Sequence, residues 1–118
     1  MATVAMILVA AVALLHFYIM YLEMCLWDKP KGRKAFGLNE EFAASTKVLA
    51  ANQGLYNGFL GAGLLWGLWL GQSGQSVVVF FLLCVLIAGI YGGISSSKKI
   101  LYIQALPSAI TLLSIFAL

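Results

Sequence analysis

Trp27-Asp28-Lys29-Pro30-Lys31-Gly32-Arg33-Lys34-Ala35-Phe36-Gly37-Leu38-Asn39-Glu40-Glu41 is the stretch that decides how this chain folds. Before it, Thr3–Trp27 is apolar apart from a few isolated side chains. After it the chain turns apolar again and stays so, with short interruptions, to Leu118. A charged, turn-forming segment between long apolar runs is the mark of a loop between membrane helices.

Composition agrees. Of 118 residues, 63% are hydrophobic and only 9% charged, and the mean hydropathy is +1.00. A soluble domain carries about 25% charged residues, and a helical span needs about 20 mainly apolar ones. Four stretches qualify: 3–27, 47–70, 77–95 and 100–118. Together they fill most of residues 1–118, so one integral membrane domain is expected. Lipid-exposed backbone must satisfy its own hydrogen bonds, which makes the expected fold an all-α, up-down bundle of four transmembrane helices. The first run lacks a basic flank and is longer than a signal-peptide core, so it is expected to remain as a span. Cys25 and Cys84 fall at different depths and read as two separate apolar thiols.

All seven basic side chains fall on one side of such a bundle. Lys29, Lys31, Arg33, Lys34 and Lys47 flank the first connection and Lys98 and Lys99 the third, while Gly71–Ser76 has none. The positive-inside rule makes that side cytoplasmic and puts both termini outside, most simply in a plasma (inner) membrane. The net charge of +3 then suits anionic lipid headgroups rather than nucleic acid.

Within the second span, Asn39 is an N-cap candidate and Glu40 and Glu41 suit the first turn of a helix. Nothing breaks the pattern from Glu40 to Leu70. At 100° per residue, Gly54, Gly58 and Gly61 form one narrow face, while Asn52, Gln53, Tyr56 and Asn57 cover the opposite arc. Gly63, Gly67 and Gly71 continue that arc outward. Small residues at four-residue spacing let helices approach closely, which suggests a homo-oligomer. The first span carries His16, Met20, Glu23 and Trp27 in a stripe. The fourth carries Gln104, Ser108 and Thr111, with Pro107 freeing the carbonyl of Ile103. The third, with Ala88/Gly92 and Gly89/Gly93, reads as packing material.

Polar groups in hydrocarbon are costly and call for a reason. Counting ~1.5 Å per residue from the cytoplasmic ends, Glu23, Asn52, Gln53 and Gln104 lie roughly 6–9 Å deep, and His16 and Asn57 roughly 15 Å. The expectation is a cytoplasm-facing polar pocket of Glu23, Asn52, Gln53, Tyr56, Asn57 and Gln104, closed on the outside. The bland alternative is interhelical hydrogen bonding, worth ~0.6–2 kcal/mol per contact. His16 and Glu23 are the candidate acid–base groups. Seven residues of rise hold them ~10 Å apart, so they would act together only through substrate or water. One His and one Glu do not make a metal site.

Leu14-Leu15-His16-Phe17-Tyr18-Ile19-Met20-Tyr21-Leu22-Glu23, Lys31-Gly32-Arg33-Lys34-Ala35-Phe36-Gly37, Ala50-Ala51-Asn52-Gln53-Gly54-Leu55-Tyr56-Asn57-Gly58-Phe59 and Gln104-Ala105-Leu106-Pro107 together resemble the small integral membrane family called domain of unknown function (DUF) 1304. That resemblance implies membership without an activity. A weaker likeness runs from Gly32–Gly37 to Ala51-Asn52. It is to the membrane-associated proteins in eicosanoid and glutathione metabolism, four-helix proteins that are typically trimeric. It implies glutathione as a cofactor, with Asn52 at that family's second-helix Asn. That family's preceding Arg and following Glu are replaced here by an uncharged residue and by Leu55.

Three functions follow as expectations. The first is binding or modifying a lipophilic small molecule in the polar pocket. The second is small proton-coupled transport with Glu23 as carrier, although the one-sided basic charge argues against two copies inserting in opposite senses. The third is an assembly subunit of a membrane complex.

Overall fold

The computed structural model describes residues 1–118, and every regular element in it is helical. Helix α1 runs Thr3–Cys25, α2 Pro30–Phe36, α3 Glu40–Trp69 and α4 Gln75–Ser95. The last helix, α5, spans Lys98–Ala117. A short 3-10 turn, Gly71–Gly74, links α3 to α4.

The local signals explain the breaks. Asn39 caps α3 as expected, its Oδ1 accepting the Phe42 N–H at 2.7 Å, and the helix then continues unbroken through 30 residues. The basic segment is more ordered than its turn residues suggest. Pro30, whose fixed φ suits the first turn of a helix, opens the two-turn α2, and Gly37 ends it with a left-handed φ of 67°. Within α5, Leu101–Ala105 widens into a π turn in which the Leu106 N–H reaches back to the Leu101 carbonyl. Pro107 cannot donate to Ile103, so the widened turn sits beside the position where the α-helical ladder is already interrupted.

Three segments are long and apolar enough to cross a membrane: Thr3–Cys25, Gly71–Ser95 and Lys98–Ala117. The expected four-span bundle is therefore supported for three helices by length and composition. The longest helix, α3, is not among them, because Asn52, Gln53, Asn57 and its run of glycines dilute its apolar side chains.

The chain forms two compact units, Met1–Ala13 with Ala62–Leu118, and Leu14–Gly61. The first has a core of Ala5, Val9, Val12, Ala13, Leu64, Val78, Leu82 and Ile115. There α4 lies tightly along α5, as its small residues suggest: a Cβ on Gly89 would stand 2.5 Å from the Ala105 nitrogen. Gly63 faces the ring of Phe81, and Gly67 faces Val78. Ser108, fully buried, donates to the Leu82 carbonyl at 2.5 Å. The second unit is a hairpin of the C-terminal half of α1, α2 and α3 as far as Gly61.

Candidate functional site

The hairpin is closed at its basic end by polar contacts. Trp27 Nε1 donates to Thr46 Oγ1 at 2.9 Å, and Lys47 Nζ lies 3.1 Å from Asp28 Oδ2. Arg33 pairs with Glu40 at 3.2 Å. The Trp27 and Phe36 rings meet at 4.9 Å. Bonded to the Lys47 ammonium, the Asp28 carboxyl is held below its ordinary value of 3.8.

Further along, Gly54 and Gly58 let α3 lie against α1. A Cβ on Gly54 would meet Met24 Cγ at 2.7 Å, Glu23 Cβ at 2.9 Å and the Met20 carbonyl at 3.1 Å, and one on Gly58 would meet Met20 Sδ at 2.5 Å. The glycine face foreseen for tight packing is thus used within the chain. This close approach brings the polar pair into contact. Asn57 Nδ2 donates to Glu23 Oε1 at 2.5 Å and also approaches the Gln53 carbonyl at 3.3 Å. Glu23 is 8% exposed and Asn57 5%.

Depth counted along the backbone puts Glu23 and Asn57 on different levels, yet their side chains meet. Every helical Cα–Cβ bond tilts toward its own helix N-terminus. On α1 that tilt carries Glu23 away from the basic loop. On the antiparallel α3 it carries Asn57 toward the loop. The two side chains close the gap from both ends.

The other expected site residues are placed differently. Asn57 lies with the glycine face rather than opposite it, while Asn52, Gln53 and Tyr56 are exposed. His16 is fully buried, out of contact with solvent. Gln104, half-buried in the π turn of α5, belongs to the other unit. Of its expected face, Ser108 and Thr111 are buried and spend their hydroxyl donors on the carbonyls of Leu82 and Pro107. That is interhelical and intrahelical bonding of the bland kind. A shallow depression of about 550 Å³ opens at the α3–α4 turn, lined by Gln72, Ser73, Gln75, Ser76, Val79 and Phe116. It contains none of the expected site residues.

Comparison with known proteins gives kinship without an activity. The chain is 32% identical over 118 residues to the uncharacterized protein YpaA of Lactococcus lactis subsp. lactis (strain IL1403), covering 98% of this chain and 99% of that one. No solved structure matches. The weaker likeness to the eicosanoid and glutathione proteins is not borne out, and the expectation of glutathione loses its basis with it. The family model described as "Protein of unknown function (DUF1304)" matches residues 10–116, and the chain belongs to that family.

Proposed function

We propose that this chain is a four-span integral membrane protein that binds a lipophilic small molecule through Glu23 and Asn57, reached from the side carrying the basic loops. One observation carries the reading. Glu23, in a helix of membrane-spanning length, is sealed to 8% exposure and is held by a neutral amide, while the ion pairs Arg33–Glu40 and Lys47–Asp28 form elsewhere. Intramembrane carboxyls without a counter-cation are costly and tend to be functional. Asn57 takes Oε1, which leaves Oε2 to accept from the hydroxyl or amine of a lipophilic ligand. Asn52, Gln53 and Tyr56 flank this position on α3.

The fourth span is α3. At ~1.5 Å per residue it is ~45 Å long, against ~30 Å of hydrocarbon. It begins at Glu40 and Glu41, and exposed Trp66 and Trp69 stand near its far end, where aromatic residues suit the interface. Four crossings put both termini outside and all seven basic residues in the cytoplasm, in a plasma (inner) membrane whose lipids are the immediate partners.

Native mass spectrometry of gently extracted protein tests the reading. A retained small molecule, lost in Glu23→Gln, is the expected result. Protein free of ligand in both forms would sink it. The same carboxyl, held by an amide and not by a cation, favours a second reading, a proton carrier, for which pH-gradient-driven flux abolished by Glu23→Gln is the signature.

A further inference from the structure

We infer that a second copy of this chain covers the face of α3 that carries Asn52, Gln53 and Tyr56; the inference rests on α3 being a span. All three side chains are exposed, and the Asn52 and Gln53 amides make no hydrogen bond within the chain. Lys47, paired with Asp28, and Thr46, bonded to Trp27, mark the polar end of the hairpin. Asn52, Gln53 and Tyr56 follow ~7–14 Å further along the helix, where hydrocarbon supplies neither donors nor acceptors.

The chemistry of the face selects its occupant. Each amide is both donor and acceptor, and so is the Tyr56 hydroxyl. The face is therefore complementary to itself, as the interface of a symmetric oligomer must be. It carries no charge to repel an identical face and none to attract a charged partner. Exposed Leu49 and Phe59 flank the amides and would shield them from lipid once paired. The glycine rows, the usual surfaces for helix association, are already filled: Gly54 and Gly58 by α1, Gly63 and Gly67 by Phe81 and Val78, and Gly89 by α5.

Cysteine cross-linking in native membranes tests this, in a Cys25→Ser/Cys84→Ser background. Oxidation of Asn52→Cys is expected to give a covalent dimer, whereas Ile87→Cys, an exposed position on α4, gives none. A membrane-impermeant maleimide should label neither. Equal cross-linking at both positions, or protection from maleimide without any cross-linking, overturns the inference while leaving α3 as a span. Labelling of Asn52→Cys as fast as Leu38→Cys in the loop overturns the span itself, and the inference with it. In native mass spectrometry, Asn52→Leu/Gln53→Leu should weaken the oligomer at least about tenfold. An unchanged dissociation constant overturns the proposed contact.

Discussion

Asn57 on α3 donates to Glu23 Oε1 on α1 across 34 positions of sequence, at 2.5 Å, and this buried bond joins the two helices of the hairpin deeper than the Trp27–Thr46 and Lys47–Asp28 contacts at its basic end. Removing its donor strands a buried carboxyl. Asn57→Ala should therefore destabilise the folded protein by about 1–3 kcal/mol. Glu23→Gln keeps an oxygen for Asn57 and should cost less than half as much. Unfolding in detergent micelles measures both, and equal losses would mean that the bond is not what holds the pair.

Gly54 and Gly58 look equivalent in sequence but have different neighbours. A methyl at Gly54 meets the Met20 carbonyl and Glu23 Cβ, whereas one at Gly58 meets the movable end of the Met20 side chain. Gly54→Ala should cost about 1–3 kcal/mol as overpacking and Gly58→Ala clearly less, because methionine repacks readily. The reverse order in thermal unfolding would contradict this packing.

Asp28 is the hairpin's acid-sensitive group. Its carboxyl is depressed by the Lys47 hydrogen bond, so the stability it contributes is full above its ordinary value of 3.8. That contribution is lost as pH falls through the lower, folded-state value. Between pH 5 and 8 this contribution should be present in full and constant, so stability should not vary with pH there on account of Asp28. In a carboxyl NMR titration, Asp28 should titrate below its ordinary value and return toward it in Lys47→Gln.

Ser108 tests the packing of α4 on α5. Ser108→Ala removes the donor to the Leu82 carbonyl with little change in volume and should cost ~0.6–2 kcal/mol. Gly89→Ala, which drives a methyl against Ala105, should cost about 1–3 kcal/mol. If unfolding measurements found both variants neutral, the close α4–α5 contact would be absent.

Much of the candidate site was legible one residue at a time. Glu23 and Asn57 stand out as costly groups in apolar runs, and Gly54 and Gly58 as a close-packing face. Their meeting was not legible, because backbone depth omits the opposite tilt of side chains on antiparallel helices. Gln53 and Asn52 read as part of the same polar arc as Asn57. Helical periodicity ranks faces within one helix but does not say where on that helix a neighbour's edge falls.

Sequence alone determined the apolar runs, the clustering of the seven basic residues around the first and third connections between them, the Asn39 cap and the break at Asp28–Asn39. Each is set by local composition or by hydrogen bonds a few residues long. Tertiary structure decided the rest. It chose Asn57 as the partner of Glu23, left Asn52 and Tyr56 on the surface, buried His16 and set Gln104 in a π turn. Those outcomes depend on how closely particular glycines let two helices approach, which is a property of the pair rather than of either helix.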